Sequence, residues 1–276
     1  MEIITKKKVL LNWITFYKLN WFFLCLNENA IDILKDKIKQ ENLLSKKQLM
    51  MLGIKNKIDW CNLSSNENAI ELLSANKNKI DWKELSLNEN AIELLKENKD
   101  KIDWTELSLN GNAIELLKDN FDKINWENLS FNDNAIDLLK NNVDKIHWSN
   151  LSGNNNAIDI LKKNPDKIDW KKLSKNKNAM DLLNTNFDKI NWKYLSYNPN
   201  ALELLKANKE KLDWNAILFN INAIELLKDN FDKINWKILS LNKNAIKLLK
   251  KNKDKIDWDN LSNNLSIFIN ESIPVK

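Results

Sequence analysis

The sequence predicts an all-α protein, an α-solenoid of 22-residue repeats, each a short helix followed by a second helix of two to three turns. Three observations carry this. Trp60, Trp82, Trp104, Trp126, Trp148, Trp170, Trp192, Trp214, Trp236 and Trp258 fall 22 residues apart without one insertion, the mark of a repeat architecture. Between them the phrase NAIELLK, or a close variant, sets apolar side chains one, three and four positions apart, the stripe of a helix. The 276 residues include only 3 Gly and 3 Pro, too few for a chain of tight β-turns. A β-solenoid or leucine-rich horseshoe is the rival, prompted by the rhythm of LSLNENAIELL. Scarce Val and Thr and the lack of period-two alternation argue against it.

From the N-terminus, Lys6, Lys7 and Lys8 precede an apolar stretch, Val9 to Leu26, in the manner of a signal peptide or anchor. Asn12, Lys18 and Asn20 interrupt it, a bilayer helix needs about 20 mostly apolar residues, and no small-residue cleavage site follows. Residues 1–17 are therefore read as a helical N-terminal capping segment. Residues 18–57 hold two eroded units: Trp21 to Leu34, with Cys25 where Ser is usual, and Lys37 to Leu43, with Gln40 replacing the Trp. Regular units fill 58–262, and residues 263–276 leave the pattern as a C-terminal cap.

Within the unit Ile80 to Lys101, Asp81 is an N-cap type and Trp82 and Leu85 share one side of the short helix. Asn88 caps the longer helix, whose stripe is Ala91, Ile92, Leu94 and Leu95. Pro199 after Asn198 fits the first helical position. Asn98 suits a left-handed C-terminal position, and its equivalent Asn164 is followed by Pro165. Three Asn ladders result, Asn66 to Asn264, Asn68 to Asn244 and Asn76 to Asn252, read as satisfying orphan backbone groups at helix ends.

Helices under about 12 to 15 residues are marginal alone, so stacking must supply the stability. Trp is read as the main filler, costing about 3 to 5 kcal/mol when cut to Ala in a core. With helices about 8 to 10 Å apart, the units would extend as one elongated rod on the order of 100 Å long.

The units, especially NPNALELLKANKEKLDW at Asn198 to Trp214 and NPDKIDW at Asn164 to Trp170, resemble the short Asn-Ala-Ile-Leu-Leu repeats of giant DNA viruses of the Mimivirus type. The resemblance covers about residues 18 to 262. It implies a viral repeat protein and carries no catalytic residue.

Composition narrows the chemistry. All 43 basic residues are Lys, and 38 acids leave a net charge of only +5. Cys25 and Cys61 make no disulfide framework, which fits a reducing intracellular compartment, host cytoplasm or virion if the chain is viral. His147 is the only His and stands at an N-cap position, so His-based metal and nucleophile sites have no basis. Gly53, Gly111 and Gly153 are scattered and form no phosphate loop. Glu93, Glu115, Asp137 and Asp159 stand three before Lys96, Lys118, Lys140 and Lys162, the spacing of helix ion pairs. No catalytic residue, metal ligand or cofactor is predicted.

One lysine per unit, from Lys79 to Lys255 at the 22-residue spacing, is the argument for nucleic acid. Neighbouring acids such as Asp100 and Asp103, and the lack of Arg for bidentate contacts, argue for a solvated, neutralised face instead.

Exposed variable positions set partner choice in repeat arrays. Between Ser and the N-cap Asn stand Leu87, Leu109, Phe131, Gly153, Lys175, Tyr197, Phe219 and Leu241. Tyr194, Tyr197, Phe219, Ile221, Ile238 and Leu241 gather large apolar side chains where other units carry Asn, Lys or Glu. Either they cover helix ends or they form an interface. The expected role is a non-enzymatic scaffold for protein–protein interaction, with a host or viral protein bound at residues 194–241. The alternatives are a self-assembling virion component and nucleic-acid binding through the lysine ladder.

Overall fold

A computed structural model describes residues 4–228 and 230–274. It is an all-α repeat array of the solenoid kind, with a single pair of strands among the described residues. Two compact units make up the chain: a central one, Ser86–Asn235, and a terminal one formed by Met1–Leu85 with Trp236–Lys276.

In the central unit one repeat shows the local logic. Asp103 caps the helix Trp104–Leu107, accepting from the amides of Thr105 and Glu106. Asn110 then caps a 3-10 turn, Gly111–Ala113, which runs into the helix Ile114–Lys118. A second 3-10 turn, Phe121–Lys123, brings the chain to Ile124 and the next cap. The paired helices are thus joined by single 3-10 turns, short pieces that suit helix ends. The expected left-handed Asn is not there: Asn98 has φ −131° and ψ 51°, and no described residue has a positive φ. Its Nδ2 donates to the Leu94 carbonyl at 2.8 Å instead, closing the helix end by side chain rather than by backbone twist.

The core is leucine and alanine. Leu107, Ala113 and Leu117 are fully buried, with Leu116 and Ile124 nearly so, and the same positions recur along the array. Each fully buried leucine contributes about 1.5 to 3 kcal/mol. Trp, expected to be the main filler, is half-buried in every repeat. In many repeats its ring is used as a surface: the ammonium of the lysine 19 positions later sits over it, as Lys123 does over Trp104 and Lys167 over Trp148, both at 4.7 Å.

Buried polar side chains join neighbouring repeats. Ser86 Oγ accepts from the Asp103 amide at 3.0 Å. Asn110 Nδ2 donates to the carbonyls of Ser86 and Asn88 at 3.0 and 2.9 Å while its Oδ1 caps Asn112. Asn112 Nδ2 reaches the Glu89 carbonyl at 3.1 Å. One asparagine therefore closes its own turn and the seam to the previous repeat. Among the described residues every buried side-chain nitrogen and oxygen has a partner, as burial in low dielectric demands.

The terminal unit overturns three expectations. No helix forms over residues 4–10; they make strand β1 (Ile4–Leu10), paired antiparallel with β2 (Phe268–Pro274) in the register Leu10↔Phe268 to Ile4↔Pro274. Pairing with β2 satisfies the backbone N–H and C=O groups that a helix would have satisfied within itself. The separate ends implied by a rod are not found, because the Trp21 and Trp258 repeats stack on each other. The Asn20 amide donates to Ser262 Oγ at 2.8 Å, and Asn27 Nδ2 donates to the carbonyls of Ser262 and Asn264 at 3.0 and 3.1 Å. These are the bonds that join interior repeats. Finally, Lys37 to Leu43 is no repeat: it is the last part and C-cap of a continuous helix, Ile31–Asn42, followed by Lys46–Met51. The Trp21 repeat instead meets the Trp60 repeat directly, with Asn66 Nδ2 on the Cys25 carbonyl at 2.8 Å and Asn62 Nδ2 on the Phe22 carbonyl at 2.9 Å. An insertion within residues 35–57 therefore separates these consecutive repeats.

Candidate partner-binding surface

The predicted surface residues divide between the two units. Tyr194, Tyr197, Phe219 and Ile221 belong to the central unit; Ile238 and Leu241 stand half-buried in the terminal unit. In the central unit, Tyr194 lies on the helix Trp192–Ser196, with Tyr197 at its C-terminal end. Tyr197 stacks on Phe219 with centroids 5.7 Å apart and 30° between planes, and meets Tyr194 at 6.4 Å. Phe219 remains 46% exposed, so the column is neither core nor isolated side chains. Such offset ring pairs add about 0.5 to 1.5 kcal/mol beyond area burial.

The column continues toward the N-terminus through Lys175, Gly153 and Phe131, which hold the same variable position in earlier repeats, and through Lys171. Lys175 Nζ sits over the Tyr197 ring at 5.4 Å, and Lys171 Nζ over Tyr194 at 4.9 Å. One repeat earlier stands Gly153, and the exposed Phe131 ring leans over it: a Cβ on Gly153 would lie 2.7 Å from Phe131 Cε2. Beside this contact runs a groove of about 290 Å³ lined by Phe131, Gly153, Asn155, Lys172, Lys175 and Tyr194. On the other side of Phe131 a second hollow of about 400 Å³ is lined by Glu89, Asp133 and Asn155 among others. The signal for Gly153 was present, because it is the only glycine at a position otherwise held by Leu, Phe, Lys, Tyr, Ser or Asn.

Electrostatics differ along this face. Asp169 is the cap of the helix Trp170–Lys175, and partial burial alone would push its carboxyl up. The Ser149 hydroxyl at 2.6 Å, the amides of Lys172 and Lys171, and the Lys172 charge outweigh burial and hold it below the usual carboxylate range. Lys172 also donates to Asn150.

Elsewhere the sequence readings meet their geometry. His147 Nδ1 accepts from the Asn150 amide at 3.3 Å, a helix cap. Lys96, Lys118 and Lys140 pair with Glu93, Glu115 and Asp137, whereas Asp159 and Lys162 do not close into an ion pair. The ladder lysines, read as a solvated face, are cation–π partners of tryptophan at Lys79, Lys123, Lys145, Lys167, Lys189, Lys211 and Lys255. No group of His, Cys, Asp and Glu among the described residues is arranged to hold a metal ion. No helix among them is long and apolar enough to cross a membrane. In the insertion, Leu43, Met50 and Met51 are exposed, an apolar set that the reading of this segment as a repeat unit concealed.

Compared with known protein families, curated proteins and solved structures, the chain gives no match.

Proposed function

We propose that this protein is a non-enzymatic repeat scaffold that binds another protein, host or viral, through the ring-bearing face of its central unit. The observation that carries the reading is the stacked Tyr197–Phe219 column, which leaves Phe219 46% exposed and meets Tyr194, a residue that lines the groove with Gly153. Exposed aromatic clusters with low conformational entropy are what interfaces use as anchors. The pairing of ladder lysines with indole rings supports the reading from the other side, since it gives those cations a structural role. Self-assembly by end-to-end stacking finds less support, because the end faces of the Trp21 and Trp258 repeats cover each other within one chain.

The test pairs capture with crosslinking. A photoreactive phenylalanine analogue placed at Tyr197 should crosslink a partner from cells that express the protein, and one placed at Lys118 should not. Tyr197→Asp with Phe219→Asp should abolish capture while the far-ultraviolet circular dichroism stays that of the wild type. Equal capture by the folded double variant would defeat the proposal.

A further inference from the structure

The binding face is not uniform in charge, and its gradient says what would sit on it. Taking the stretch from each cap to the start of the second helix, residues 103–114 carry Asp103 and Glu106, and residues 125–136 carry Glu127 and Asp133, with no lysine in either. Residues 147–158 carry only Asp133's neighbour Asn155 and other uncharged side chains around Gly153. Residues 169–180 then carry Lys171, Lys172, Lys175 and Lys177 against the single Asp169, and residues 191–202 carry Lys193 alone. The reversal from acidic to basic happens at the groove.

Two of the lysines there, Lys171 and Lys175, are also free of carboxylate partners among the described residues. Lys96, Lys118, Lys206 and Lys228 each hold a carboxylate at 2.7 to 2.8 Å. Lys171 and Lys175 hold none among the described residues; their ammoniums rest on the Tyr194 and Tyr197 rings, which fixes them at the rim without neutralising them. The groove between them and Phe131 exists because residue 153 has no side chain. On its far side, Glu89 and Asp133 would repel a second carboxylate.

We infer that this groove takes an acidic peptide segment of the partner. One aromatic or aliphatic side chain of the segment seats between Phe131 and Tyr194, in the groove beside Gly153, and the flanking carboxylates lie on Lys171, Lys172 and Lys175. The inference rests on the protein-binding reading above and names the partner's chemistry.

Fluorescence anisotropy with dye-labelled synthetic peptides tests it on the full chain. The probes are Asp-Glu-Trp-Glu-Asp, its Asn/Gln counterpart, its Lys counterpart and an oligothymidylate bearing the same dye. The acidic peptide should bind best, and its affinity should fall as salt rises. Lys171→Glu with Lys175→Glu, both exposed positions, should weaken it on the order of tenfold or more and favour the Lys peptide. Gly153→Leu should block the groove without unfolding the helix, because Leu stands at the same position in other repeats; Lys175→Gln serves as a milder check if that variant fails to fold. The inference is overturned if the neutral or Lys peptide binds as well as the acidic one, if the oligothymidylate binds more tightly, or if no peptide binds. Retained partner capture at Tyr197 with any of those results would leave the protein-binding reading standing and remove only the acidic ligand.

Discussion

At the scale of single residues, the two cysteines occupy opposite environments. Cys25 takes the place of the seam serine, its Sγ accepting from the Asp59 amide at 3.3 Å, and burial pushes its thiol up to about 12. Cys61 is exposed, and its thiol is raised by local burial and by the carboxylates of Asp81, Glu84 and Asp59. Iodoacetamide should therefore label Cys61 alone in the native protein, slowly, and both cysteines after denaturation; labelling of Cys25 in the fold would contradict its burial. Because the folded Cys25 value lies above the ordinary 9.0, its contribution is complete below pH 9 and is lost as pH rises toward about 12. Cys25→Ser should flatten that alkaline loss in a melting series. Asp169 has the opposite sign. Its lowered value adds stability above the ordinary carboxylate value of 3.8 that is lost as acidification carries through the folded value. Asp169→Asn keeps a capping side chain, so it should melt lower than wild type at neutral pH and converge with it in acid.

At the scale of the repeat, helix positions and caps were legible, since Asp103, Asn110 and the Leu116–Leu117 pair act as their residue types imply. The role of tryptophan was not. Residue size alone points to the core, but whether an indole is enclosed depends on how closely two helix pairs approach, and here Leu and Ala fill that space. Leu151→Ala should cost about 2 to 5 kcal/mol, while Trp148→Ala should fall below the about 3 to 5 expected of a fully buried Trp. Urea unfolding of the two variants would show the order, and a larger loss for Trp148→Ala would return the indole to the core. The exposed insertion behaves differently again: Met50→Glu with Met51→Glu should leave the unfolding midpoint within about 0.5 kcal/mol of wild type. The acidic-to-basic reversal around Gly153 was present in the sequence, but its meaning needed the Phe131 ring lying over that glycine. Distances between side chains of adjacent repeats are not written in either repeat alone.

For the molecule as a whole, stability in repeat arrays is a sum of repeats and nearest-neighbour seams, and terminal repeats with one neighbour are weaker. Here the Trp21 repeat has seams to both the Trp60 and the Trp258 repeats. Asn27→Ala should then destabilise as much as Asn110→Ala, about 1 to 3 kcal/mol for a buried capping asparagine with two further bonds. If Asn27→Ala is markedly milder, the contact between first and last repeats does not persist in solution. By itself the sequence determined the repeat, its helices and their N-terminal caps, because each of those is encoded within about one period and written many times over; that Asn and Ser side chains also bond the preceding repeat came from the structure. Only the tertiary structure decided that residues 242 positions apart are bonded, that the second eroded unit is an insertion, and that one glycine opens a groove. Each of those outcomes is a contact between segments far apart in the chain or in different repeats, which packing sets and no local residue pattern records.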